Sequence, residues 1–166
     1  RDRAHILGLN SVAERYADIA KKMAMKWEEM ANEGDHYRLA FDRNNTWSQK
    51  YNIIWDKMWN LNIFPNNVIS KEINYYLTKQ NLYGLPLDSR RDYTKSDWIM
   101  WTAAMSPNRE IFEKFVDPLY KYINETTSRV PISDWHDTKT GRMTGFKARS
   151  VIGGYWIQVL MDKMNH

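Results

Sequence analysis

The chain has 166 residues, 43% of them hydrophobic, which is enough for one domain with a real core and excludes a disordered segment. It contains no cysteine, which excludes a disulfide scaffold and a cysteine-based zinc site. The formal charge of +4 is spread in mixed-sign clusters, which speaks against nucleic-acid binding, and no apolar run approaches the roughly 18 residues that cross a bilayer.

The apolar side is carried by 8 Trp, 10 Tyr and 9 Met, a composition that favours helices with large aromatic knobs and an all-α fold. Helical pattern sets in soon after Arg1, which is not a methionine, so a fragment is expected, with any export signal upstream. The first long helix is predicted from about Ser11 to Ala31, with Val12, Tyr16, Ile19, Ala20, Met23, Trp27 and Met30 on one apolar stripe and Gly34 closing it. Thr46 and Gln49 read as a capping box ahead of Ile54, Trp55 and Met58. After Pro65, Asn66 and Asn67 a third stripe follows: Val68, Ile69, Ile73, Tyr76 and Leu77. Thr94 and Asp97 repeat the capping pattern before Trp98, Trp101 and Met105. Ser106-Pro107 opens a helix with Ile111, Phe112, Phe115, Leu119 and Tyr122 inward and a kink expected at Pro118. The last helix is predicted from about Phe146 to Met164, with Ala148, Val151, Ile152, Tyr155 and Val159 inward. Its Gly153-Gly154 pair marks either a close approach or a break.

Three loops of similar character end in Asp42, Asp88 and Asp134, each 46 residues from the last. A period in the forties with two helices per unit is the signature of stacked helical hairpins, whose equivalent loops emerge on one rim. The aspartates lie near Trp47, Lys50, Arg90, Tyr93, Lys95, Asp97, Trp98, Trp135 and His136. Carboxylates walled by indoles can take unequal pKa values and act as acid and base in a hydrolysis. Indole faces also stack on sugars. The plainer alternative is that each aspartate bonds backbone N–H groups in its own turn. Neither His36 nor His136 has the neighbours of a metal site, so no metal and no cofactor is expected. There is no phosphate loop and no nucleophile elbow. The triplets at Asn44 and Asn124 match the glycan-acceptor pattern, though Thr46 already reads as a cap. The segment DTKTGRMTG reads as an exposed turn with Gly141 and Gly145 at positive φ.

Three strings, HYRLAFDRNNTWSQKYNIIWDKMWNLNIFP (His36 to Pro65), YGLPLDSRRDYTKSDWIMW (Tyr83 to Trp101) and RVPISDWHDTKTGRMTGFKARSVIGGYW (Arg129 to Trp156), resemble the six-helical-hairpin domain of the glutaminase A family, in the C-terminal part of its toroid. The resemblance implies a single helical-hairpin domain over residues 1–166, part of a larger (α/α)6 toroid similar to that of six-hairpin glycosidases. It implies hydrolysis of L-glutamine to L-glutamate and ammonia, in proteins that are secreted, periplasmic or held at the cell surface. About three hairpins fit the chain, so further hairpins and the family's upstream β-rich region are expected as partners in a longer parent chain.

On the matched loops, Asp88 and Asp134 are the candidate general base and acid, or a grip on the substrate ammonium. Arg90 and Lys95 suit the α-carboxylate. Trp47, Trp98 and Trp135 would form the wall, with Asp42 and Asp97 completing the substrate-binding set. Two other readings stay open: a glycoside-directed enzyme or sugar-binding toroid, and an interaction module without catalysis. An incomplete ring with exposed inner helix faces should self-associate.

Overall fold

The computed structural model describes residues 2–164. Helix α1 (Asp2–Ile6) turns at Gly8 into α2 (Asn10–Ala31). A 3-10 turn at Tyr51–Ile53 leads into the short α3 (Ile54–Met58), followed by α4 (Asn67–Leu77). After β1 (Tyr93–Lys95) come α5 (Ser96–Ala104) and α6 (Arg109–Glu125). Strands β2 (Trp135–Asp137) and β3 (Met143–Gly145) precede a 3-10 segment, Ser150–Trp156, and α7 (Ile157–Met164). Two helices thus lie between each pair of successive loop aspartates.

Helix α5 is the central element. Ile99, Met100, Thr102, Ala103 and Ala104 are all buried, and a helix enclosed on nearly every side shows little amphipathic contrast. It packs against α6, α7 and the 3-10 segment. The apolar faces expected for α4 and α6 are buried: Val68, Ile73, Tyr76, Phe115, Leu119 and Tyr122 are each at most 2% exposed.

Backbone hydrogen bonds join the loops. Gln49 N–H donates to Leu87 O at 2.8 Å, Ser89 N–H to Trp47 O at 2.9 Å and Ser96 N–H to Asp134 O at 2.8 Å. The three strands form an antiparallel sheet in the order β1-β2-β3, with Thr94 opposite His136. This small sheet is an addition to the all-α expectation. Strands of three residues carry too little alternation to be read from sequence.

Neither capping box forms. Thr46 donates to Arg43 O at 2.6 Å and accepts from Leu39 N–H, in a turn upstream of the helix. Gln49 is 4% exposed, and its amide donates to Leu85 O, Pro86 O and Thr94 Oγ1 while its carbonyl accepts from Thr102. Thr94 lies in β1, so the α5 N-terminus carries no side-chain cap. A local turn has claimed Thr46 and a long-range contact with Gln49 has claimed Thr94. Helix α6 starts two residues later than Pro107, capped by Asn108 Oδ1 accepting from Ile111 N–H at 3.0 Å.

Pro118 does not end α6, which runs on to Glu125. Proline lacks the N–H that would bond the carbonyl four residues back. That carbonyl, Lys114 O, accepts instead from Gln80 Nε2 at 2.7 Å.

Two expected stripes differ. In α2 only Ala13, Ala24 and Ala31 are buried, with Trp27 against the core, while Val12, Tyr16, Ile19, Met23 and Met30 are exposed. Periodicity tells which residues share a face, and says nothing of what covers it. The predicted last helix is α-helical only from Ile157. Phe146 and Ala148 have positive φ, Ala148 and Val159 are exposed, and Ile157 and Met161 supply the burial. Gly141 has the expected positive φ of 67°. Gly145 instead sits in β3, where a Cβ would stand 3.0 Å from the Trp135 ring.

Candidate functional site

The loop aspartates have three different environments. Asp42 is exposed in a turn and lines neither of the clefts beside Asp88. Asp88 is 5% exposed and closed on its own turn. Its Oδ1 accepts from Arg90 N–H at 2.8 Å and Nε at 3.0 Å, and its Oδ2 accepts from Arg90 Nη2 at 2.7 Å. Both oxygens are satisfied within three residues.

Asp88 and Arg90 border a cleft of about 350 Å³ together with Lys50, Trp27, Phe64 and Trp98. The Trp98 ring stacks on Tyr51 at 4.2 Å and 8°. Lys50 Nζ donates to Tyr37 O, Ser48 O and Ser48 Oγ at 2.9–3.1 Å, so its three protons are committed. Glu72 Oε2 lies 3.7 Å from it. Glu72, reaching in from α4, also accepts from Tyr37 N–H at 2.8 Å and from the Tyr76 hydroxyl. Burial pushes the Lys50 pKa down and the Glu72 pKa up, and each charge opposes the other's shift. The arrangement ties α4 to the loops.

The Asp134 corner is built differently. Lys95 Nζ at 3.0 Å and Arg149 Nη1 at 3.1 Å both donate to Asp134 Oδ2. Lys95 also stands 4.6 Å over the rings of Trp135 and Phe146, and the Arg149 guanidinium caps the Phe146 ring at 4.5 Å. The other oxygen, Asp134 Oδ1, is buried without a partner among the described residues.

Asp97 follows two residues after Lys95, in the first turn of α5, and is 5% exposed. Its Oδ1 is likewise buried without a partner among the described residues. Burial, with the Asp134 charge adding to it, pushes its pKa up to about 6, against the pull of Lys95 and of the Asp97 and Trp98 backbone N–H groups. One carboxyl of this corner is therefore ion-paired, and its neighbour holds a proton in about half of the molecules near pH 6.

The corner is covered by the 3-10 segment. A Cβ on Gly154 would come within 2.8 Å of Trp101 Nε1 and 3.1 Å of Asp97 Cβ, so the backbone itself lies against both side chains. Gly153 has open space. Thus one glycine of the pair marks a close approach and the other does not. The Tyr155 hydroxyl fastens the cover by donating to Ser96 Oγ at 2.6 Å.

Of the residues singled out from sequence, the structure groups Lys95, Asp97, Asp134 and Trp135 in one corner and Asp88, Arg90 and Trp98 in the adjoining cleft. Trp47 is 7% exposed and packs on Tyr75 and Tyr76, with an edge in a second cleft of about 340 Å³. Arg90 and Lys95 are already engaged by Asp88 and Asp134. His136 is fully buried, stacked on Tyr122 at 3.6 Å with Nε2 bonded to Tyr83 O, and burial pushes its pKa down to about 4.

Sequence reading missed Arg149, Phe146 and Tyr155, which sit in a segment taken for helix. It also missed the polar role open to Trp101, whose spacing four residues after Asp97 puts both on one face of α5.

The model of the glutaminase A six helical-hairpin domain family matches residues 3–159. Glutaminase A of Aspergillus oryzae is 32% identical over 156 residues, covering 90% of this chain and 22% of its own length. A probable glutaminase of Arthroderma benhamiae is 26% identical over 202 aligned positions, covering 95% of this chain and 23% of its own length. The chain thus spans less than a quarter of the curated relatives it matches. No solved structure matches. With family motifs running through nearly the whole of its length, the chain belongs to the glutaminase A six helical-hairpin domain family.

Proposed function

We propose that this chain supplies the acid–base corner of an amide hydrolase acting on L-glutamine. The observation that carries the reading is the unequal carboxyl pair: Asp97, with a pKa near 6, beside Asp134, whose one oxygen is ion-paired and whose other has no partner among the described residues. In this scheme Asp97 gives its proton to the departing nitrogen as the C–N bond breaks. The free oxygen of Asp134 takes the proton that the attacking water loses as the new C–O bond forms. The products are L-glutamate and ammonia, and solvent resets the two carboxyls. Asp97 takes the acid role that the sequence reading gave to Asp134, and Asp134 takes the base role it gave to Asp88.

The naming of the relatives as glutaminases supports the substrate. The 3-10 segment has to lift for substrate to enter, after which the Lys95 and Arg149 cations can share Asp134 with an α-carboxylate. The helix pairs support an (α/α) toroid like that of six-hairpin glycosidases, completed by the rest of a longer, exported protein. Other parts of that protein would then cover α2. The stacked Tyr51 and Trp98 rings beside the Asp88 cleft favour one further reading, a sugar-directed toroid.

The test is ammonia release from L-glutamine by the longest native polypeptide carrying this sequence, with Asp97→Asn and Asp134→Asn alongside. Loss of activity in folded variants supports the scheme. A wild type that ignores glutamine but cleaves a glycoside replaces it with the sugar reading.

A further inference from the structure

Among the described residues, three polar atoms around α5 are buried without partners: Asp97 Oδ1, Asp134 Oδ1 and Trp101 Nε1. Leaving such a group unpaired is costly, so the three call for a physical account. Two are acceptors and one is a donor that can never accept. Asp97 and Trp101 are one helical turn apart, and Gly154 lies against both. The Trp101 ring is fixed by edge contacts with Trp55 at 5.0 Å and Tyr51 at 6.1 Å, which leaves its N–H aimed under the cover.

A primary carboxamide is the complement of this set, since its carbonyl accepts one hydrogen bond where its nitrogen donates two. We infer that the Trp101 indole N–H holds the carbonyl oxygen of the scissile carboxamide, with the nitrogen facing Asp97. The inference rests on the amide-hydrolase reading and adds a residue to it. When water adds to the carbonyl carbon, the C=O electron pair moves onto oxygen. The indole N–H, preorganised in a dry site, bonds the resulting oxyanion more strongly than the ground-state carbonyl. The pair returns as the C–N bond breaks, and the nitrogen leaves with the Asp97 proton. Trp101 is thus a catalytic residue in the strict sense, touching the reacting atoms.

Trp135 Nε1 is also without a partner among the described residues. Its ring, however, is engaged by Lys95, Phe146 and Gly145 on the sheet. Trp101 alone shares the helix face of Asp97 and the contact with Gly154.

The experiment compares Trp101→Phe with wild type in the longest native polypeptide carrying this sequence. The substitution deletes the N–H while retaining an aromatic ring against Trp55 and Tyr51. The expected result is a kcat lowered about 10- to 100-fold with KM changed less than about threefold, and an unmoved fall of the rate as pH rises through about 6. A folded Trp101→Phe protein with kcat within about twofold of wild type overturns the inference while leaving the hydrolase reading intact. A wild type that releases no ammonia sinks both.

If Trp101→Phe fails to fold, the ¹H–¹⁵N indole resonance of Trp101 in Asp97→Asn protein gives the answer. Adding L-glutamine should move it downfield as the N–H gains an acceptor, and an unshifted resonance at saturation overturns the assignment. Gly154→Ala, whose methyl would collide with Trp101 Nε1 and push the cover off it, should lower activity, whereas Gly153→Ala should not. Equal activity of the two also counts against it.

Discussion

Asp88 and Asp134 occupy the same point of successive 46-residue units, yet the two corners of the molecule treat their acids in opposite ways. Around Asp88 every hydrogen-bonding valence has a local answer: Arg90 fills both carboxylate oxygens, and Lys50 spends its three protons on nearby oxygens. Around Asp134 the cations crowd onto one oxygen, and the polar groups of Asp97 and Trp101 are left over. A repeated acid is therefore not a repeated role. The corner that has satisfied its own chemistry holds the loops together, and the unsatisfied one is fit to act on something else.

The largest effect expected from this contrast is on turnover. Asp97→Asn should lower the rate of ammonia release by about 10²- to 10⁴-fold, the range of a lost general acid, while Asp88→Asn should change it by less than about threefold. Equal losses in both variants would dissolve the distinction between the corners. In wild type the rate should fall as pH rises through about 6, where Asp97 gives up its proton, and a flat profile from pH 5 to 8 would remove Asp97 from the acid role.

Stability against pH sharpens the comparison next. The pKa of His136 is depressed to about 4 from an ordinary 6.5, so its contribution is present above pH 6.5 and is lost as pH falls toward 4. This amounts to about 3 kcal/mol. The Asp97 pKa is raised to about 6 from 3.8, so its contribution is present below pH 4 and is lost as pH rises through 6. Solvent screening holds that term to about 2 kcal/mol. The opposed slopes largely cancel in wild type. Asp97→Asn should remove one of them, leaving urea-unfolding stability that climbs clearly from pH 4 to 6.5. An unchanged pH dependence in the variant would show that Asp97 is not strained.

Gly84→Ala comes next in size. Gly84 has φ +119°, and a Cβ there would meet Ile99 Cδ1 at 2.8 Å, so a loss of about 2 kcal/mol in chemical denaturation is expected. The smallest effect belongs to Asp88→Asn. The variant keeps an acceptor for Arg90 N–H and gives up an ion pair whose guanidinium is half exposed, which should lower stability by about 1 kcal/mol or less.

How much of this was legible follows from the range of the interactions. Helices α2, α4 and α6 announce themselves because 3.6-residue periodicity is local. Phe115, Leu119 and Tyr122 face the core as their spacing requires. Thr46 and Thr94 misled because neither answers to the helix that follows: Thr46 closes the turn before it, and Thr94 is bonded by Gln49, 45 residues away. The two carboxyls at the centre of the site could be picked from sequence by residue type. Their inequality could not, because Asp97 is stressed by a backbone 57 residues away at Gly154 and Asp134 is paired by Arg149 in a segment whose positive-φ residues break the helical pattern.

The open face of α2 has a chemical consequence of its own. Met23 is 67% exposed and Met30 is 40% exposed, so dilute peroxide should convert them to sulfoxides well before the buried Met100 and Met105. Read by mass spectrometry, their oxidation rates turn the helix into its own footprinting probe. Fast oxidation in this chain and protection in a longer protein carrying it would map where neighbouring polypeptide lies, with no crystal required.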